Sequence, residues 1–261
     1  MDENFQTYLN RAMRLTLPET YQSQVQHIQE SAKFRPQPDQ TRQPVPFPGY
    51  SVISPPMQDD PENQTVYEGL AAYQQQILSL LGKELFVAVP PDSFHITLAD
   101  LIWDSTYRHT SETNPSFEAQ LQAQIAQIFQ QSGELTEHRA IQFQVLGLMV
   151  MTRAIAVCLS PTDSHSHDRL LKLRRNIYQT HDLMGLGIEQ QYYFTPHITL
   201  GYFGEIPPAD QLGQLVDRFE ALNQQWIGRA PQELRVQRAE LRKFDDMTRY
   251  YRQPDWAVLE F

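Results

Sequence analysis

The tetrapeptide His95-Ile96-Thr97-Leu98 recurs as His197-Ile198-Thr199-Leu200 about a hundred residues later. The chain has eight histidines, and accidental recurrence of a four-residue run beginning with one has odds of roughly one in 200. Imidazole has an unperturbed pKa near 6.5, so one ring can be neutral while another is charged at the same pH. Two such rings flanking a phosphate form an acid–base pair. The neutral ring takes a proton from water, and the charged ring donates one to the leaving oxygen. Neighbouring threonine hydroxyls donate to the non-bridging phosphate oxygens as charge builds. This chemistry needs no metal and no cofactor, and none is expected. Its pH profile should be bell-shaped, with limbs flanking neutrality.

Both tetrapeptides lie in strand-like runs, FHITLADL and TPHITLGYF. Side chains alternate across a strand, so His95, Thr97 and Ala99 are expected on one face, with Phe94, Ile96 and Leu98 on the other. In the second run His197, Thr199 and Gly201 share a face, opposite Ile198, Leu200 and Tyr202. The apolar faces suit packing against helices. The polar faces end in small residues and leave room for a ligand, and an approximate two-fold would bring two His and two Thr to one point.

The surrounding elements repeat in the same order. A strand at 50–54 precedes a helix with Val66, Leu70, Tyr73, Ile77 and Leu81 on one face, then strands at 84–90 and 94–101. A second helix carries Phe117, Leu121, Ile125 and Ile128. Strands at 140–149 and 152–160, a helix with Leu170, Leu173 and Ile177, and a strand at 195–203 follow. An amphipathic helix (Leu212, Leu215, Phe219, Leu222, Trp226) and strands near 232–243 and 255–261 close the chain. The expected fold is α+β and bilobal: two mainly antiparallel sheets with helices outside, pseudo-two-fold symmetry and a central cleft. Residues 1–44 read as a helical extension and proline-rich linker, with Tyr21, Val25, Ile28 and Ala32 on one helical face. Residues 45–261 form the main domain, with lobes at 45–112 and 138–206 and strands from 232–261 completing the sheets.

Composition narrows the partners. With 21 Lys and Arg against 31 Asp and Glu, the net charge is −10, which argues against coating duplex DNA. A small nucleotide or short RNA end in a local pocket is compatible with that charge. No apolar stretch approaches the roughly 20 residues of a membrane span, and no secretory signal is visible, so the reading is a cytoplasmic protein without membrane contact. Cys158 lies in an apolar run and reads as a core residue. The sequence leaves the oligomeric state open.

Paired His-x-Thr strands at this spacing resemble the 2H phosphoesterase superfamily, which includes bacterial 2′,3′-cyclic phosphodiesterases, also called RNA 2′-5′ ligases. FHITL preceded by strand, helix and strand resembles its first lobe. TRAIAVCLSP, a helix and YYFTPHITLGYF resemble its second, and VQRAELRKFDD with RYYRQPDWAVLEF resemble its closing strands. The resemblance covers roughly residues 45–261. It implies a bilobal fold with a central cleft, catalytic positions at His95, Thr97, His197 and Thr199, and opening of cyclic phosphates or related phosphodiesters. Which histidine is acid and which is base stays open at this stage. A noncatalytic nucleotide- or RNA-end-binding protein using the same cleft is the alternative.

Weaker signals are His165 and His167, which could ligate a metal but read as loop and helix-cap residues, and Arg153, a possible phosphate clamp. Trp103, Tyr107, Tyr193 and Phe203 could stack on a base or belong to the core.

Overall fold

The computed structural model describes residues 3–39, 41–227 and 233–261. The chain opens with α1 (Phe5–Arg14) and α2 (Pro18–Gln24), then a ribbon of β1 (Phe34–Pro36) and β2 (Arg42–Pro44). There follow β3 (Gly49–Ile53), α3 (Gln64–Leu81), β4 (Phe86–Ala88), β5 (Thr97–Trp103), α4 (Asp104–Thr113) and α5 (Phe117–Gln131). The second half holds β6 (Ile141–Val150), β7 (Ala154–Pro161), α6 (Ser164–Tyr178), α7 (His181–Gly185), β8 (His197–Phe203) and α8 (Leu212–Ile227). It closes with β9 (Glu233–Val236), β10 (Arg238–Phe244), β11 (Tyr250–Tyr251) and β12 (Val258–Glu260).

Two five-stranded sheets result, and their strand pairs are antiparallel. One runs β11-β10-β3-β5 with β12 beside β10; the other runs β4-β8-β7-β6-β9. The fold is thus α+β with two antiparallel sheets. The halves exchange strands: β4 leaves the first half to pair with β8, while β10 to β12 return from the C-terminus to the first sheet. The single strand expected near 232–243 divides at Gln237 into β9 and β10, which join different sheets; residue 232 lies outside the described residues.

The N-terminal segment packs onto this body. Tyr8, Ala12, Tyr21 and Val25 are fully or almost fully buried. The Tyr8 hydroxyl donates to the Leu159 carbonyl (2.9 Å) and the Tyr21 hydroxyl to the Leu148 carbonyl (2.7 Å). The helix expected to run to Ala32 stops at Gln24 and continues only as a 3₁₀ turn over Val25–His27. Tertiary bonds account for the stop: the Gln29 amide donates to Thr152 O (2.7 Å) and the Ser31 amide to Phe203 O (2.9 Å), so the backbone becomes a strap across the second sheet. Two prolines of the expected linker sit at ribbon ends, Pro36 opposite Arg42 and Pro44 opposite Phe34, where a missing amide is tolerated.

Candidate active site

Each tetrapeptide strand carries one extra residue at its leucine. Thr97 pairs with Ile53 and Ala99 with Val52, which leaves Leu98 unpaired; Thr199 pairs with Ala156 and Gly201 with Ile155, which leaves Leu200 unpaired. A bulge of this kind shifts the alternation by one position and re-aims the side chains beyond it. Strict alternation predicted Ala99 and Gly201 beside the His and Thr side chains, and that expectation is corrected. Asp100 and Tyr202 line the cleft instead, while Ala99 is fully buried. A Cβ on Gly201 would meet the Phe86 ring at 2.5 Å and Val87 O at 2.6 Å.

The freed bulge carbonyls are caught by side chains from the opposite halves. Arg174 of α6 donates to Leu98 O (2.6 Å), and Gln74 of α3 donates to Leu200 O and to Val89 O (both 2.7 Å). Both side chains are buried. This reciprocity gives the pseudo-two-fold a physical basis, because each half's helix fixes the other half's strand.

His95, Thr97, His197 and Thr199 all line one cleft of about 1050 Å³ between the sheets. The imidazoles are held alike. His95 Nδ1 lies 2.7 Å from Ser93 O, and His197 Nδ1 lies 2.8 Å from Thr195 O. A carbonyl only accepts, so each Nδ1 carries the hydrogen and Nε2 is left as the nitrogen available for proton transfer. His95 Nε2 is 3.3 Å from the Thr97 hydroxyl.

The surroundings are not symmetric. The His95 ring packs against Tyr250, with centroids 4.1 Å apart. Burial, aided by the charges of His197 and Arg242, holds its pKa down at about 4, because desolvation disfavours the charged ring. Asp100 is pushed up by burial, partly offset by His197, Arg174 and Lys33. Lys33 enters from the N-terminal strap with its ammonium 4.5 Å from the Phe47 ring and 5.0 Å from the Tyr202 ring. Burial lowers its pKa to about 8.

Arg11 of α1 secures the segment before His197. It donates to the Thr195 hydroxyl (2.6 Å) and to Phe194 O (2.7 Å) while gripping Glu3. Lys33, Asp100, Arg11 and Tyr250 escaped the sequence reading. Their signals are the one-residue phase shift at each bulge and the tertiary path of the N-terminal strap, neither of which local periodicity reports.

The weaker candidates separate. Trp103, Tyr193 and Arg153 line the cleft, and Arg153 donates to Gln29 (2.7 Å). Phe203 is buried in the core, and Tyr107 is buried beside Phe117 and Tyr50. His165 and His167 fall in the first turn of α6, after the N-cap Asp163. His165 is half exposed and pairs with Glu137 (2.6 Å), whereas His167 is buried against Tyr8 and Phe5. Among the described residues no three His, Cys, Asp or Glu side chains cluster to hold a metal ion. Cys158 is buried, which pushes its thiol up to about 12. No helix among the described residues is long and apolar enough to cross a membrane.

Comparisons with known proteins agree with this architecture. The fold is similar to that of a conserved protein of unknown function, ATU0111, from Agrobacterium tumefaciens str. C58, at 12% identity over 81% of this chain and 86% of that one, TM-score 0.53. Lower-scoring likenesses include E. coli LigT complexed with 3′-AMP (16% identity, 81% and 97% coverage, TM-score 0.43). Another is Kluyveromyces marxianus Usb1 with uridine monophosphate (11%, 82% and 98%, TM-score 0.44). No curated protein matches the sequence. Residues 37–154 match the family model 2H-phosphodiest, described as a domain of unknown function (DUF1868). Over those residues, somewhat under half of the chain, the sequence is similar to that family.

Proposed function

We propose that the protein is a metal-independent phosphodiesterase that opens a 2′,3′-cyclic phosphate, or a related phosphodiester, on a nucleotide or RNA end. The observation that carries this reading is the placement of two imidazoles in one cleft, each with Nδ1 tied to the carbonyl two residues before it.

The asymmetry supports a division of labour. His95, held neutral at neutral pH by its burial, is the base: its Nε2 removes a proton from water as the water oxygen attacks phosphorus. His197, with the Asp100 carboxyl within electrostatic range, is the acid. Its Nε2–H donates to the ribose oxygen as the P–O bond breaks, and the proton on His95 later returns to solvent. Thr97 and Thr199 donate to the non-bridging oxygens, and the ammonium of Lys33 favours an anion in the cleft.

Incubation with 2′,3′-cyclic mononucleotides, cyclic-phosphate RNA ends and 2′-5′-linked oligonucleotides tests the reading. Phosphomonoester product should appear and persist undiminished in excess chelator. Activity that vanishes with EDTA and returns with zinc or manganese would sink the two-histidine mechanism. Binding without turnover across the panel would leave the noncatalytic reading in its place.

A further inference from the structure

The cleft-side faces of the two sheets are covered differently. On the second sheet α1 lies over Ala156 and Cys158, which pair with Thr199 and His197, so the N-terminal helix walls off that side. On the first sheet the corresponding side borders a second pocket instead. Along β10, Glu240, Arg242 and Phe244 pair with Ile53, Ser51 and Gly49 and share one face. Phe244 belongs to the cleft, while Glu240 and Arg242 line a second pocket of about 480 Å³.

Arg238, Arg249, Arg252 and Asp59 also border that pocket. Four guanidinium groups face two carboxylates there, in a chain whose net charge is −10. Arg242 is engaged by Glu240 (2.5 Å) and Asp59 (2.7 Å), and Arg238 Nε by Glu240 (2.8 Å). The excess lies with the other two. Among the described residues Arg249 has no ion pair; it is exposed, over the Tyr251 ring. Arg252 gives one N–H to Trp256 O, but its Nε is buried without a hydrogen-bond partner. Unmet donors of this kind are matched by the oxygens of a phosphate.

The pocket also continues from the reacting centre. Tyr250 packs on the His95 ring, its carbonyl accepts from Arg242 (3.1 Å), and the next residue, Tyr251, borders the arginines. Phe244 and Arg242 are two residues apart, about 7 Å along the strand, a step comparable to one nucleotide.

Resting on the two-histidine reading above, we propose that the arginine pocket receives the phosphate one nucleotide along from the reacting one. The protein then acts on the end of a single-stranded oligonucleotide in preference to a free mononucleotide. The terminal nucleotide lies against the side closed by α1, and the strand leaves over Tyr250.

Equilibrium anisotropy with a fluorescent single-stranded trinucleotide bearing a 3′-phosphate, competed by a nucleoside 3′-monophosphate, tests this. The native protein should favour the trinucleotide by about tenfold or more, the usual worth of a charge-assisted contact. In Arg249→Glu combined with Arg252→Gln that preference should collapse. The slope of log K against log salt should become shallower by about 0.7 for each phosphate no longer neutralised. Arg249→Glu alone, at an exposed position, keeps the test valid if the double variant fails to fold. Equal affinity for both ligands in the native protein, or unchanged preference and slope in the variants, would overturn the proposal. Preference intact without turnover on any cyclic phosphate would sink the catalytic reading and leave this pocket standing. Turnover without preference would do the reverse.

Discussion

His95 is neutral at neutral pH because packing against Tyr250 and the cleft walls desolvates its ring and disfavours the charged form. Its depressed pKa means that the base form persists as pH falls and is lost only near pH 4. The acid limb of kcat/KM, which reports the free enzyme, should therefore lie near 4, well below the position flanking neutrality that an unperturbed imidazole predicts. Tyr250→Ala readmits water, so its acid limb should move up toward about 6.5. A pH–rate profile of that variant with an unmoved limb would remove His95 as the base. The four candidate side chains were legible because a repeated His-x-Thr is rare and alternation puts both polar groups on one face. Asp100 and Tyr202 were not, because a bulge is set by cross-strand pairing, which a single strand's sequence does not encode.

At the scale of elements, the bulged strands depend on two buried side chains from across the pseudo-two-fold, Gln74 on α3 and Arg174 on α6. Local patterning identified α3 and α6 from their apolar faces but gave no role to their buried polar residues. Gln74→Leu leaves Val89 O without its side-chain donor and Leu200 O with only the Val89 amide (3.2 Å), a loss of about 1–3 kcal/mol. Urea denaturation should show a lower midpoint with unchanged slope. Turnover should fall as well, because the Leu200 bulge aims Thr199 and Tyr202. Native stability in Gln74→Leu would show that the bulge stands without its capture. The split of the expected C-terminal strand into β9 and β10 was also invisible locally, since the sheet each joins is decided by distant partners.

For the whole molecule, the N-terminal segment is the largest departure from a reading by composition. The sequence suggested a helical extension and a proline-rich linker; the helical part is packed onto the body, with Tyr8, Tyr21 and Val25 buried, and Lys33 and Arg11 reach the cleft. Removing residues 1–33 exposes the face of β7 beneath α1 and takes away both cations. The truncated chain should aggregate or unfold well below the intact protein's midpoint by thermal denaturation. A truncated chain that folds and turns over normally would make the segment a dispensable extension. The central claim is that the two lobes each deliver one histidine to the same phosphate, and a mutant cycle on 2′,3′-cyclic phosphate hydrolysis tests it most directly. His95→Ala and His197→Ala should each lower kcat about 10²–10⁴-fold. The double variant should fall far less than the product of the two, because the residues act as one unit. Full activity in either folded single variant, or losses that simply multiply, would contradict it.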